Sequence, residues 1–447
     1  MTDVDEMAIA QLREFVQIPS HSRDPEARRA AAQFSANLLE AAGFEVCLHG
    51  RQDAPNVIAN IGGNPGSGLL FYNHYDVVPP GEEKDWRHPP FAAVIEEGVL
   101  HGRGTSDHKA SFIARLAAIR DLRERGALAI PVSFLIDGEE EVGSPGLEQT
   151  ILENKTRLAA VGGLYSGGAR SENGSMVIRA GCKGRCGLRL SVTLSDRNHH
   201  SKWAAMLRNP AWRLIAALGT LYDGREDIVL VDRVLDGIAG PDARDEEALQ
   251  RLKFDVPEFL REVGHEALRA DAAADPIRSL MFAPTFNLAW IKSGTGAGTV
   301  LPGCASAMLD IRLVPGQSSS AVAREIRTHL ARHGFGDVIV EEAGGSEPDK
   351  CSLDDAVLCA LVEAAEALRM NCVLHPMGAG SGPRHLFRRH LGYSLIQDPG
   401  CSWQGSNDHA ANENIFVEHF LENRRLIETF LVHAGQSAPV AMAGTAA

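Results

Sequence analysis

Residues 71–80 read FYNHYDVVPP, and they end an apolar run, LLFYNHYD (69–76), that is typical of a buried strand. The segments VIANI (57–61) and VSFLID (132–137) have the same character. Before the last of these, residues 108–124 place apolar side chains at helical spacing. This alternation of strands and helices predicts an α/β fold with a central, mostly parallel sheet.

Histidine and carboxylate residues follow the ends of two predicted strands. His74 and Asp76 end the second strand, and Glu140 and Glu141 come just after the third. Because ligand sites in open α/β sheets collect at the carboxyl ends of strands, we expect these side chains to share one site. Adjacent glutamates can supply both a metal ligand and a proton carrier.

Two further segments carry the same residue types. Asp107 lies in GRGTSDHK (102–109), and His409 lies in SNDHAANENI (406–415). Imidazole and carboxylate groups are the ligands that borderline-soft divalent metals prefer. Together, the four segments predict a metal site with its own general base.

Length, charge and composition narrow the class of protein. The chain has 447 residues, a length for which two domains are expected. Its formal net charge of -14 argues against a nucleic-acid partner, because such a partner requires a basic surface. No apolar run approaches the roughly 18 residues of a membrane span, and the start lacks the pattern of a secretory signal. Cys182 and Cys186 have no partner pair at zinc-site spacing. We therefore expect reduced cysteines in a cytoplasmic protein.

A change of pattern near residue 183 predicts a second domain. Residues 188–194 and 305–313 alternate apolar and polar side chains, as half-buried strands do. With helical segments beside them, they indicate a smaller α+β domain inserted into the α/β domain. The predicted divisions are 1–182 and 346–434 for the α/β domain, 183–345 for the insert and 435–447 for a disordered tail. The other predicted elements are helices at 5–17, 209–220, 319–333, 353–368 and 416–433, and a strand at 372–377.

Seven short motifs in order carry a resemblance to a known family. They are NHYDVVP, GRGTSDHK, GEEEVGS, HHS, LDIRLVPGQ, GSGP and HAANENI. The chain resembles the aminoacylase, carnosinase and glutamate-carboxypeptidase family of metallohydrolases from about residue 10 to residue 433. The resemblance implies a catalytic α/β domain with an inserted lid that usually forms dimers.

The resemblance also implies the metal ligands. His74 and a bridging Asp107 would bind one metal, and Glu141 and His409 would bind a second. Asp76 would orient the imidazole of His74. The metal would be a divalent transition ion such as Zn, Mn or Co.

Roles toward the substrate are implied in the same way. Glu140 would be the general base on a water whose pKa the metal lowers toward about 7. His200 in the lid would donate to the developing oxyanion, often across a dimer interface. Arg312 would bind a substrate carboxylate, and Asn287 and Ser381 would line the pocket.

One family ligand is missing. Relatives carry Asp or Glu where this chain has Gly167, in GGLYSGGAR. Because glycine has no side-chain ligand, we expect one metal, or a second that binds loosely. Ser166 or His108 is the alternative source of the missing ligand.

The predicted pocket also differs from the family pattern. The lid segment KWAAMLR introduces Trp203, and Arg384 follows GSGP. An aromatic wall beside cationic groups suits a compact anionic, aromatic substrate. With Gly167, these features resemble the branch that contains 5-nitroanthranilate aminohydrolase, which hydrolyses an aryl amine.

Several alternatives stay open. The leading hypothesis is a hydrolase that cleaves a C–N bond in a small substrate bearing a carboxylate, either an aryl amine or the amide of a dipeptide or N-acyl amino acid. A non-catalytic scaffold descended from the family is the alternative from another class. Arg312 could instead pair with Asp310, Arg384 could be a surface or interface arginine, and Trp203 could pack in a dimer or larger homo-oligomer.

Overall fold

A computed structural model describes residues 2–171, 173–296 and 298–441 of the protein, and the chain divides into two units. Unit 1 runs up to Gly181 and includes Cys351–Pro376 and the chain from Pro383 onward. Unit 2 comprises Cys182–Lys350 and Met377–Gly382. The predicted fold class is confirmed, since unit 1 contains a mostly parallel eight-stranded sheet and unit 2 contains a separate antiparallel sheet.

The strands form most readily where apolar and β-branched residues are bounded by glycine or proline. In chain order they are β1 (Glu45–His49), β2 (Asn56–Ile61), β3 (Leu69–His74), β4 (Val94–Glu96), β5 (Val99–His101), β6 (Val132–Asp137), β7 (Gly162–Tyr165), β8 (Met176–Arg179), β9 (Gly181–Cys182), β10 (Gly184–Thr193), β11 (His199–His200), β12 (Tyr222–Asp223), β13 (Ile228–Val229), β14 (Thr285–Ser293), β15 (Val300–Leu301), β16 (Cys304–Leu313), β17 (Ile339–Ser346), β18 (Asp349–Lys350), β19 (Cys372–His375), β20 (Leu395–Gln397) and β21 (Asn414–Phe416).

Many helices begin at a polar cap. Asp24 and Asp355 accept hydrogen bonds from the first-turn N–H groups of their helices, and Pro25 occupies the first helical position after Asp24. In chain order the helices are α1 (Asp3–Val16), α2 (Pro25–Ala41), α3 (Ala110–Glu124), α4 (Leu147–Glu153), α5 (Pro210–Leu221), α6 (Ala243–Leu249), α7 (Val256–Val263), α8 (Ala270–Ala273), α9 (Pro276–Phe282), α10 (Ser319–Arg332), α11 (Ala356–Ala367), α12 (Arg384–Leu391) and α13 (Val417–Ala441).

The sheet of unit 1 has the strand order β1-β2-β6-β3-β7-β20-β8-β19. Strand β3 lies near its centre, parallel to both β6 and β7, and all six residues of β3 are buried. Leu69 and Phe71 of β3 join the core that contains α1, α3, α11 and α13, whereas Leu70 and Tyr72 join the core that contains α4 and α12. Both faces of the sheet are therefore covered, which leaves the strand ends as the place for polar groups.

Unit 2 is built on an antiparallel sheet with the order β14-β16-β10-β17. One face of β10 and β16 packs against α5 and α10, as the alternating pattern at 188–194 and 305–313 predicts. The other face of these strands carries the polar side chains.

The closing helix is longer than the sequence predicts. Helix α13 continues to Ala441, beyond residue 433, where the sequence predicts its end. Residues 442–447 lie outside the described residues. No helix that the structure describes is both long enough and apolar enough to cross a membrane.

The aromatic core of unit 1 centres on Phe134 of β6. Its ring centroid lies 5.6, 5.4 and 5.6 Å from those of Phe44, Phe71 and Phe112. We expect Phe134→Ala to lower the free energy of unfolding by about 3–5 kcal/mol, because the cavity loses contacts on all sides. Guanidinium denaturation followed by circular dichroism measures this loss. Leu152→Ala, at a side chain that is 41% exposed, is the control and should change it by no more than about 0.5 kcal/mol. Equal losses in the two variants would contradict the assignment of this core.

Candidate metal centre and active site

The site lies at the carboxyl ends of three neighbouring parallel strands. Strand β3 ends at His74, which is opposite Asp137 at the end of β6, and β7 ends at Tyr165. The turn after β6 brings Glu140 and Glu141 to this edge. Chain segments that are far apart in sequence thus reach one edge because parallel strands all end on the same side.

A buried glutamate holds the loop that carries Asp107. Glu413 is fully buried, and its Oε1 accepts from the N–H groups of Ser106 and Asp107 at 2.9 and 3.0 Å. Its Oε2 accepts from the N–H of Gly104 at 2.9 Å and from Nη1 of Arg103 at 2.6 Å. These contacts satisfy the turn's backbone donors and fix the position of the Asp107 backbone.

The Asp107 carboxylate lies between two groups of ligand atoms. Its Oδ1 is 3.0 Å from Nε2 of His74 and 2.9 Å from Nε2 of His108. Its Oδ2 is 2.8 Å from Nε2 of His409, which is 3.2 Å from Oε2 of Glu141. Within each group, His74–Asp107–His108 and Asp107–Glu141–His409, the ligand atoms all lie within 4.8 Å of one another.

Both imidazoles of the first group are oriented by backbone oxygens. Nδ1 of His74 lies 3.0 Å from the carbonyl oxygen of Asp76, and Nδ1 of His108 lies 2.8 Å from that of Ser106. Since a carbonyl oxygen only accepts, each Nδ1 carries the proton. Each Nε2 therefore faces Asp107 and is free to bind a metal.

The arrangement of acceptors fits a divalent cation. Two imidazole nitrogens converge on one carboxylate oxygen, which neutral rings would do only with a cation between them. Oε1 of Glu141 is also buried, and it has no hydrogen-bond partner among residues 2–171, 173–296 and 298–441. A buried carboxylate oxygen without a donor is costly unless a cation satisfies it.

The electrostatics of the site follow from this crowding. Burial raises the pKa of Asp107, but the neighbouring His108, His409 and His74 outweigh it and hold that pKa well below its usual value. Hydrogen bonds from His409 to Asp107 and Glu141 raise the pKa of His409 to about 10. The carboxylates thus stabilise positive charge on the imidazoles, and a metal ion would take the place of those protons.

Asp76 contacts both His74 and the turn that carries Glu140 and Glu141. Its Oδ1 and Oδ2 accept from the N–H groups of Glu140 and Glu141 at 3.1 and 3.0 Å, and its Oδ1 lies 3.5 Å from Nδ1 of His74. The sequence predicted only the contact with His74. The structure adds that Asp76 fixes the turn of the adjacent glutamates.

Glu140 lies half-buried beside the metal ligands. Burial raises its pKa to about 7, with Asp107, Glu141 and Asp76 adding to the increase and His74 opposing it. Tyr165 donates its hydroxyl to Oε1 of Glu140 at 3.1 Å. A carboxylate with a pKa near neutrality is suited to general-base catalysis. Tyr165 was missed in the sequence, where it lies in GGLYSGG and matches no motif.

The loop that carries His409 adopts an unusual backbone. Asn407, His409 and Asn412 have φ values of 56°, 61° and 65°. Asparagine and histidine are among the residues that tolerate this left-handed region best. The composition of SNDHAANEN therefore suits the turn that returns His409 to Asp107.

Two of the predicted substrate residues meet in unit 2. Nη1 of Arg312 donates to Oγ of Ser381 at 2.8 Å, and Ser381 donates to the carbonyl oxygen of Gly184 at 3.0 Å. Nε of Arg312 also donates to Asp310 at 3.2 Å, which is the alternative pairing. Asn287 is exposed on β14, opposite Asp310.

The other two predicted residues of unit 2 lie on the surface. His200 is exposed, and its Nδ1 accepts from the N–H of Lys202 at 3.1 Å. Trp203 is 43% exposed, with Nζ of Lys202 5.0 Å from its ring centroid. Their roles toward a substrate stay predictions.

Arg384 does not have the environment that the sequence suggested. Its side chain lies in unit 1 and is 1% exposed, with Nη2 donating to the carbonyl oxygens of Ala180 and Leu395. A guanidinium buried in this way stabilises strand ends. Its predicted role in substrate binding stays a prediction.

Comparison with known proteins agrees with this geometry. Residues 70–433 match the pattern of Peptidase family M20/M25/M40. The chain belongs to this family. It is 26% identical to human Beta-Ala-His dipeptidase, across 96% of this chain and 90% of that protein. It is 25% identical to the Cys-Gly metallodipeptidase of Schizosaccharomyces pombe, across 86% of this chain and 84% of that protein.

A solved structure shows the same fold over the full length. The M20 family metallo-carboxypeptidase of Sulfolobus solfataricus superposes with a TM-score of 0.91 and 30% identity, across 98% of this chain and 100% of that chain. The prediction of a metal-dependent hydrolase that acts on C–N bonds is thus confirmed. M20 peptidases use divalent metal ions, usually two.

The hydrogen bonds between Glu413 and the loop that carries Asp107 lead to a prediction. In Glu413→Gln an amide replaces one acceptor oxygen and faces backbone donors, so the position of Asp107 is disturbed. We expect the metal affinity to fall by about 10- to 100-fold, as is typical when a group that supports a ligand is lost. Competition with a chromogenic chelator measures the affinity, and Glu418→Gln, on the surface of α13, is the control. If the two variants bind metal equally well, the hydrogen bonds of Glu413 do not support the metal site.

Proposed function

We propose that this M20 peptidase is a metal-dependent dipeptidase that hydrolyses the peptide bond of small substrates with a free carboxylate. The observation that carries the proposal is the pair of ligand groups sharing Asp107, with Glu140 beside them. The similar proteins described above are dipeptidases and a carboxypeptidase. They favour the dipeptidase alternative over aryl-amine hydrolysis, and the retained ligands oppose a non-catalytic scaffold.

The two ligand groups would hold the metal ions. His74 and Asp107 would contribute to one metal site, and Asp107, Glu141 and His409 would form the other. Divalent ions bound there would supply Lewis acidity and would lower the pKa of a coordinated water.

Glu140 would move the protons of the reaction. As a carboxylate it accepts a proton from the attacking water, and as a carboxylic acid it returns the proton to the leaving amine nitrogen. The hydroxyl of Tyr165 holds Oε1, and Asp76 holds the backbone N–H, so the second oxygen is presented in a fixed direction. This restraint keeps the base oriented in both steps.

Arg312 is the proposed partner of the substrate carboxylate. Its guanidinium is about one-third exposed, and its contacts with Asp310 and Ser381 fix its orientation. A planar guanidinium pairs with a carboxylate through two parallel hydrogen bonds. His200, Asn287 and Trp203 are proposed to contribute further contacts.

A surface of unit 2 is proposed to support the dimer. Large apolar side chains are exposed there, including Met206 at 78% and Trp212 at 70%. Burial of such side chains against a second subunit would remove apolar surface from water. The oligomeric state stays a prediction.

The role of Glu140 is tested by Glu140→Gln. We expect kcat for dipeptides to fall by about 10²- to 10⁴-fold with unchanged metal content, because the amide cannot accept the proton. Steady-state kinetics with zinc, manganese and cobalt, together with elemental analysis, measure both quantities. Glu83→Gln, at an exposed position, is the control. Unchanged turnover in Glu140→Gln would refute the proposed function.

The substrate class is tested with a panel. We expect turnover of dipeptides to exceed that of N-acyl amino acids and aminobenzoates, because the relatives are peptidases. In Arg312→Ala, kcat/KM for dipeptides should fall by about 10- to 100-fold, the effect of losing a charged hydrogen bond, while dipeptide amides are little affected. Arg189→Ala, exposed on β10, is the control. Preferential turnover of aminobenzoates would instead favour the aryl-amine alternative.

A further inference from the structure

The space beside Gly167 is filled by the ring of His108. A Cβ atom at Gly167 would lie 2.0 Å from both Cε1 and Nε2 of His108, far inside van der Waals contact. Gly167 also has a φ of 89°, which disfavours most side chains. Gly167, which stands where relatives have a carboxylate ligand, therefore leaves room for the imidazole of His108.

Neither segment can easily move away from the other. Ser402 forms a β-bridge with Ala169 and a hydrogen bond with the hydroxyl of Ser106 at 2.5 Å. The side chain of Gln397 donates to the carbonyl oxygen of Gly167. Because one stretch of chain ties both loops, the contact between His108 and Gly167 is a fixed feature of the fold.

The His108 ring is oriented as a metal ligand. Its Nδ1 donates to the Ser106 carbonyl oxygen, which directs Nε2 to within 2.9 Å of Oδ1 of Asp107. The rings of His74 and His108 are nearly perpendicular, at 81°, with centroids 5.1 Å apart. Two imidazoles therefore approach one carboxylate oxygen from different directions, as ligands around a single ion do.

Ser166 is the competing source of a ligand. Its side chain is fully buried, and its Oγ has no hydrogen-bond partner within the described part of the chain. A neutral hydroxyl is a weaker ligand for a transition metal than an imidazole nitrogen. The position of Nε2 in the first ligand group favours His108.

We propose that His108 is a ligand of the first metal and replaces the carboxylate that Gly167 lacks. This inference rests on the proposed metal-dependent function. It gives each metal three side-chain ligands, with Asp107 shared, and it replaces the expectation of a single or loosely held ion. The first site would have two nitrogen ligands and one oxygen ligand, so it would favour zinc or cobalt over manganese.

The test is the metal content of variants. His108→Phe keeps a ring without a ligand nitrogen, and His108→Asn is a second variant in case the first folds poorly. All proteins carry His101→Gln, because His88, Glu96 and His101 form another group with ligand atoms within 4.8 Å of one another. Each protein is loaded with zinc(II) or cobalt(II) alone, freed of excess ions by gel filtration and analysed by elemental analysis and visible spectroscopy.

We expect about two ions per chain in the His101→Gln protein and about one in both His108 variants, with part of the cobalt absorption lost. Ser166→Ala, the matched control, should retain both ions. Unchanged metal content and spectra in both His108 variants would overturn the proposal. Loss of an ion in Ser166→Ala alone would also overturn it.

A double variant at His108 and Gly167 gives an independent test. His108→Ala with Gly167→Asp removes the imidazole and places a carboxylate in the space that it leaves, at a φ that aspartate tolerates better than most residues do. We expect the double variant to regain the ion that His108→Ala loses. A double variant no better than His108→Ala would show that the two positions are not interchangeable and would overturn the proposal.

Failure of this inference can be distinguished from failure of the proposed function. Glu140→Gln tests peptide hydrolysis without removing a ligand, whereas the His108 variants are judged by metal content and spectra. A metal-dependent dipeptidase whose His108 variants keep both ions would retain its function and lose only this ligand assignment.

Discussion

The shared carboxylate of Asp107 is the contact on which the whole site depends. Each of its oxygens faces a different set of ligand atoms, so its position determines whether both groups can form. An exposed aspartate could not hold two imidazoles on one oxygen and a third on the other, because water would compete for both oxygens. The fully buried Glu413 holds Asp107 in place, because its carboxylate accepts hydrogen bonds from three backbone N–H groups of the turn.

The polar network continues beneath the strand ends. Arg115 is fully buried and pairs with Asp398 at 2.7 Å, and it also donates to the carbonyl oxygen of Tyr72 and the side chain of Asn73. Buried ion pairs of this kind add little net stability, but leaving one partner alone costs several kcal/mol. The hydrophobic cores on the two faces of the sheet supply the stabilising energy.

Gly167 shows how a departure from a family pattern can mislead. Taken alone, it indicates a lost ligand and a weakened metal site. The structure places the imidazole of His108, from a distant part of the chain, in the same space. For Arg384, which follows GSGP, the structure shows contacts with the backbone carbonyl oxygens of Ala180 and Leu395 that the sequence did not indicate.

The sequence by itself determined the fold class, the family and the candidates His74, Asp107, Glu140, Glu141 and His409. It could do so because strand and helix periodicities are local, and because ligands of parallel sheets follow strand ends directly in the chain. Only the tertiary structure decided which imidazole nitrogens face Asp107, which backbone donors Glu413 satisfies and that Tyr165 contacts Glu140. It also decided that the ring of His108 fills the space beside Gly167. These features are contacts between distant segments, and no local pattern records the direction in which a buried side chain points once the strands have assembled.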